Sequence, residues 1–237
     1  MNTLELTDTL ESTTVAEIAI ANPGGVTIFN KYNIDYCCGG KTTLSKACDR
    51  AGVNTKIVTN ELRQAQQSYT PGVLHFETWG ASLLTDFIVQ HHHAYVKRTI
   101  PLLQELIEKV YSVHGKDHPE LKSVRDAFEE LSNELLDHMN KEELVLFPAI
   151  RKLFNPSMQS TTQLLDTHEP IHALEDEHER AGDLIKSIRS LTQHYTPPPT
   201  ACPTYRLTYA RLQEFDQDLM QHIHIENNVL FEKVKNV

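Results

Sequence analysis

Two His–Glu pairs with a spacing of four, His138 with Glu142 and His222 with Glu226, fall in stretches whose other residues at the same phase are apolar. One stretch reads Phe128, Leu131, Leu135, His138, Glu142, Val145, Ala149. The other reads Leu212, Phe215, Leu219, His222, Glu226, Val229. Steps of three and four residues mark the face that a helix turns to a bundle interior. Two more stripes are each interrupted by one histidine: Val89, His93, Val96, Ile100, Leu103, Ile107, Val110, and Ile171, Leu174, His178, Ala181, Ile185, Ile188.

Burying two carboxylates and four imidazoles without compensation costs several kcal/mol per charged group. A pair of divalent or trivalent cations removes that penalty. The i,i+4 spacing puts His138 and Glu142 on one helical face, and His222 and Glu226 likewise, so each pair can reach one centre. The expected ligands are therefore His93, His138, Glu142, His178, His222 and Glu226, with the carboxylates bridging and the imidazoles terminal. This mixed nitrogen and oxygen set suits iron or manganese better than calcium or magnesium, and zinc stays chemically open. Six protein ligands do not saturate two octahedral ions, so oxo or hydroxo bridges and open positions for small molecules are the expected remainder.

Most of the 13 histidines drop out. His91, His92 and His224 lie off the stripes and are expected to be exposed. His168 and His172 are spaced for a ligand pair, but His168 stands about 15 Å of helical rise from His178, too far to share a dinuclear centre. Glu134 and Glu177 sit close to expected ligands, as supporting partners, proton carriers or solvated side chains. A ferritin-like oxidase would require Glu-x-x-His on two helices. Glu175 with His178 fits that pattern, but Glu175 lies beside the stripe.

The elements that carry these residues are long helices, expected over about 78–112, 119–154, 161–193 and 204–234. Gly115 to Pro119, Asn155-Pro156 and Pro197-Pro198-Pro199 supply the breaks. Helices of about 30 residues are about 45 Å long, and with short connections they form an up-down four-helix bundle. Ahead of them, shorter helical pieces are expected at Thr14–Ala21, Val26–Tyr32, Thr43–Ala51 and Lys56–Gln67. Ser68-Tyr69-Thr70-Pro71-Gly72 reads as the start of a linker over 68–77. The fold class is all-α, with a small helical N-terminal domain over 1–70 and the bundle over 78–237. A net charge of −10 and the lack of any Lys/Arg run exclude a phosphate-backbone partner, so no nucleic acid is expected. Met1 to Leu10 has neither a basic n-region nor an apolar h-region, and no stretch is long enough to span a bilayer, so neither secretion nor membrane insertion is expected. The four cysteines, two of them adjacent, suit a reduced, cytoplasmic compartment. Cys37 and Cys38 precede Gly39-Gly40 in a turn whose backbone amides could lower a thiol pKa. Redox chemistry, nitrosylation or contact with a client is one reading of the pair, and two small turn residues the other. Cys48 and Cys202 are expected to be inert.

These residues also carry a resemblance. Asp35-Tyr36-Cys37-Cys38-Gly39-Gly40, His138-Met139-Asn140-Lys141-Glu142-Glu143 with Leu146-Phe147-Pro148, Glu177-His178-Glu179-Arg180-Ala181-Gly182, and His222-Ile223-His224-Ile225-Glu226-Asn227-Asn228 are similar to motifs of the di-iron proteins that repair iron–sulfur clusters. The likeness runs over nearly the full chain. Leu230-Phe231-Glu232 departs from it, since relatives usually have proline after the phenylalanine. The resemblance places the family's ligands on the same six residues. It implies a haemerythrin-like bundle with two iron ions, bridged by carboxylate and by oxo or hydroxo. It also implies a cytoplasmic stress-response role with damaged iron–sulfur proteins as clients and nitric oxide as a ligand. Iron donation and nitric oxide reduction are the two activities it offers, with a possible redox or transfer role for Cys37 and Cys38; a homodimer stays open. The competing class is a haemerythrin-type oxygen or iron binder without repair activity. Such proteins typically use five histidines, against four in phase here.

Overall fold

The computed structural model describes residues 10–67, 74–155 and 168–237. Its intrachain contacts divide it into two compact units: residues 81–222, and the chain up to Gly80 together with Ile223–Val237.

From Val15 on, the first unit holds four short helices: α1 (Val15–Ala21), α2 (Gly25–Lys31), α3 (Leu44–Ala51) and α4 (Thr55–Gln67). All four boundaries lie within about one residue of those expected from the sequence. At the start of α1, the Thr14 hydroxyl accepts from the Glu17 amide while the Glu17 carboxylate takes the Thr14 amide, a reciprocal cap that satisfies two otherwise idle donors. Gly52 ends α3 at φ +67°, a left-handed conformation open to a residue without Cβ. Val15, Phe29, Tyr36, Leu44, Cys48, Val58 and Leu62 fill the core. From the C-terminal segment, Ile225, Leu230, Phe231 and Val234 are buried in the same way. The linker residues 68–73 lie outside the described residues, and Phe76–Thr78 forms a 3₁₀ turn.

The long helices follow. Helix α5 runs over 81–114, α6 over 120–153, α7 over His168–Leu191, and α8 over 203–235. The expected start of the third long helix at residue 161 falls outside the described residues. Among the described residues, three of the four helices contain a π-helical segment: Ile88–His93 in α5, Glu142–Leu146 in α6 and Glu226–Leu230 in α8. Each π turn accommodates one extra residue, which shifts the apolar stripe beyond it. Val145 and Ala149, expected in the core, give way to Leu146, Phe147 and Ile150, and Val145 is 60% exposed. Val89 is likewise half-buried, and Ile88 takes its place in the core. Phe128 on α6 and Phe215 on α8 meet edge to face at 5.5 Å between ring centroids. Away from the histidines, Arg189 on α7 donates to both carboxylate oxygens of Asp216 on α8, at 2.9 and 2.7 Å. The Tyr195 hydroxyl adds a third bond at 2.7 Å. Such a bidentate, triply bonded carboxylate joins two helices in a defined register. Among the described residues, no helix is long and apolar enough to cross a membrane.

Candidate metal centre

Each long helix delivers its stripe-breaking residues to one place. His93 closes the π segment of α5, Glu142 opens that of α6 and Glu226 opens that of α8, while His138, His178 and His222 come from regular α-helix. π turns recur at functional sites because they re-aim a side chain without ending the helix. The six residues form two groups of potential ligands. His93, Glu142, His222 and Glu226 make the first, and His138, Glu142, His178 and Glu226 the second. Within each group the ligand atoms all lie within 4.8 Å of one another. Both carboxylates are shared between the groups, and each imidazole belongs to one. All six side chains are buried, none more than 3% exposed.

The spacing between donors fits metal ions. Ligand atoms about 2.0–2.2 Å from one first-row divalent ion, at right angles or tetrahedral angles, lie about 2.8–3.6 Å apart. Glu142 Oε2 is 3.3 Å from His93 Nε2 and 3.4 Å from His138 Nε2, so one oxygen faces an imidazole of each group. His138 Nε2 and His178 Nε2 are 2.8 Å apart.

Outer carboxylates set the tautomers. Glu143 Oε1 lies 2.7 Å from His93 Nδ1 and also takes the Lys97 ammonium at 2.8 Å. On the neighbouring helices, Glu177 Oε2 lies 2.9 Å from His138 Nδ1, and its other oxygen takes Lys141 at 2.5 Å. Ionised carboxylates only accept, so Nδ1–H donates and the Nε2 lone pair is left toward the metal groups. Burial alone would push the Glu143 and Glu177 carboxyls up. The hydrogen bonds from Lys97 and His93, and from Lys141 and His138, outweigh it and hold both below the usual carboxylate value.

Glu177 adjoins His178 in sequence, but its partner is His138 on another helix. No stripe marks Glu143, although Lys97 and Lys141, four and three residues beyond His93 and His138, repeat on both helices. Glu134 is half-buried, with Oε2 enclosed and without a hydrogen-bond partner among the described residues. Two histidines differ from expectation. His91 is exposed as expected, but His92 is 0% and His224 only 5% exposed. His92 is turned to Asp218, 3.1 Å from Nδ1 to Oδ1, and belongs to neither shared-carboxylate group. His224 packs edge-on to Tyr36 and meets Asn228 at 3.0 Å, and burial lowers its pKa to about 4. His172 is exposed beside Glu175.

The vicinal cysteines sit in a loop built around Asp35. Its Oδ1 accepts the amides of Cys37 and Gly39, at 3.1 and 3.0 Å, so these donors are directed to a carboxylate and not to a thiolate. The expected lowering at this turn is reversed for Cys37, whose burial pushes the thiol well above its ordinary value. Cys38 is half-buried, with its sulfur 3.4 Å from that of Cys37. Gly40 is required here because a Cβ would come within 2.8 Å of Ala16 and of the Tyr36 carbonyl. Cys48 is buried, and Cys202 Sγ lies 3.3 Å from His114 Nε2.

Comparison with known proteins adds family information. Residues 85–234 match the family described as "Hemerythrin HHE cation binding domain", a span that contains all six clustered residues. Residues 11–66 match a domain of unknown function, DUF542, which contains the cysteine pair. A "Probable iron-sulfur cluster repair protein" of Haemophilus influenzae is 35% identical, over 94% of this chain and 96% of its own length. "Iron-sulfur cluster repair protein ScdA" of Staphylococcus haemolyticus is 32% identical over 92% and 96%. "Iron-sulfur cluster repair protein YtfE" of Salmonella choleraesuis is 36% identical over 92% and 94%.

Proposed function

The chain belongs to the YtfE/ScdA family of iron–sulfur cluster repair proteins, and from that premise we propose that it is a cytoplasmic di-iron protein that restores iron–sulfur clusters damaged by nitrosative or oxidative stress. The observation that carries the reading is the pair of buried His₂Glu₂ groups sharing both carboxylates. That donor set would hold two iron ions through the imidazoles of His93, His138, His178 and His222 and the carboxylates of Glu142 and Glu226. All six residues fall within the bundle domain proposed at 78–237, which follows the small helical domain proposed at 1–70.

When bound, the two irons supply redox equivalents and open positions for nitric oxide, and are themselves the cargo if repair proceeds by donation. The protein contributes a dry, negatively charged cage in which two carboxylates offset the ionic charge. Glu143 and Glu177 keep the protons of His93 and His138 on Nδ1, which leaves both Nε2 lone pairs as donors. Neutral imidazoles and carboxylates hold iron less tightly than thiolates would, which suits a centre that must give metal up. Damaged iron–sulfur proteins are the clients. Of the two cysteines, Cys38 is the one placed for a redox or transfer role, because Cys37 is buried as the thiol.

Replacing Glu142 by Leu removes the carboxylate that faces both groups. The expected result is loss of the dinuclear absorption spectrum and of rescue of a damaged cluster enzyme. Wild-type rescue by that variant would remove the mechanism. Anaerobic incubation of the reduced wild type with nitric oxide, following nitrous oxide and released iron together, separates reduction from donation. Stable reversible oxygen binding without rescue would return the protein to the haemerythrin-type binders.

A further inference from the structure

The bundle unit carries a third convergence of ligand atoms. His91, His92 and Asp218 each offer one, all within 4.8 Å of one another. His92 Nδ1 and Asp218 Oδ1 are 3.1 Å apart, inside the spacing of neighbouring ligands on one ion. The usual alternative is a hydrogen-bonded His–Asp pair that serves packing alone, and the state of the Asp218 carboxylate counts against it. His92 is completely buried, and Asp218 Oδ2, the carboxylate oxygen not paired with His92 Nδ1, is enclosed without a hydrogen-bond partner among the described residues. Buried polar atoms left in that state call for a specific explanation, an ion among them. The group is also not sealed. His91 is exposed and the Asp218 side chain is 17% exposed, so an ion can reach it from solvent.

Its position gives it a use. The His92 ring lies parallel to that of His222, 5.3 Å between centroids and 4° between planes, and His222 belongs to the first of the two buried groups. His91 is fixed by stacking on Phe87 at 4.9 Å. We propose that His91, His92 and Asp218 form a third metal site, which holds one divalent transition-metal ion on the solvent side of His222. Two imidazoles and one carboxylate select a borderline ion such as ferrous iron, cobalt or zinc over calcium or magnesium. Three protein donors bind more weakly than the buried groups do, as a waypoint for uptake and release requires. The waypoint role rests on the iron-handling function proposed above; the existence of the site does not.

The test uses the full-length protein with its dinuclear centre filled with iron, titrated anaerobically with cobalt(II) and read by absorption and by metal analysis. The wild type is expected to take up one further equivalent. His91→Ala and Asp218→Asn are each expected to weaken that uptake at least tenfold, with two irons per chain and an unaltered dinuclear spectrum. No third equivalent in the wild type, or undiminished uptake in both variants, overturns the site. Release of iron to a ferrous chelator is expected to slow severalfold in His91→Ala; an unchanged rate alongside a lost third equivalent overturns the waypoint role. Failure of the wild type to rescue a damaged cluster enzyme, with the third equivalent present, would count against the proposed function and leave the site standing.

Discussion

At the scale of single residues, the arrangement around the ligands is symmetric. Glu143 serves His93 and is anchored by Lys97, while Glu177 serves His138 and is anchored by Lys141. Each carboxylate orients a ring and raises its basicity, so losing the charge weakens the metal site without opening the core. Glu143→Gln and Glu177→Gln are each expected to lower metal affinity about 10–100-fold, the usual cost of losing such a partner. Competition with a chelator measures this, alongside circular dichroism to show an unchanged helix content. Affinities within about twofold of wild type would mean that the two glutamates only decorate the surface. The six clustered residues were legible because polar residues interrupt apolar stripes at matching phase. Their supports were less so. Which helix Glu177 faces is decided by packing register, and a stripe read along one helix contains no information about that. The same limit explains His92 and His224, which are buried by partners, Asp218 and Tyr36, on other segments.

At the scale of elements, the π segments set the register of the residues that follow the carboxylates. Steps of three and four residues assume an unbroken α-helix, so the sequence pattern carried Val145 into the core while the chain inserts a residue and buries Leu146. A signal was present in Leu146-Phe147, an adjacent apolar pair after Glu142-Glu143-Leu144-Val145, which a regular stripe does not predict. Deleting Leu144, which is 77% exposed, converts the π turn to α. The deletion moves Leu146 and Ile150 to positions three and seven beyond Glu142, in phase with the stripe that precedes it. The bundle is therefore expected to survive, with helical circular dichroism and a melting temperature close to wild type. Metal content is expected to fall below one ion per chain, because the wide turn that opens at Glu142 and sets it against His93 on α5 is lost. Two tightly bound ions in the deletion variant would show that the wide turn is incidental.

For the whole molecule, the fold class was legible because four long stripes admit few arrangements other than a bundle. A bundle interior with two carboxylates and four imidazoles at or below 3% exposure is itself unstable unless something replaces water around them. Metal binding is thus part of folding stability. An ion that binds only the folded state at about 100 times its dissociation constant adds about 2.7 kcal/mol. For a chain of this size each kcal/mol moves the melting temperature by about 2–4 °C. Stripping both ions is therefore expected to lower the calorimetric midpoint by about 10–20 °C, and adding ferrous iron back anaerobically is expected to restore it. The Glu142→Leu variant supplies the contrast. It loses the metal and also removes one of the charges that needs it, so its midpoint is expected to respond little to chelator. A wild-type midpoint that shifts by less than about 1 °C on stripping would show that the six side chains satisfy one another, and that metal is a passenger in this core and not one of its structural parts.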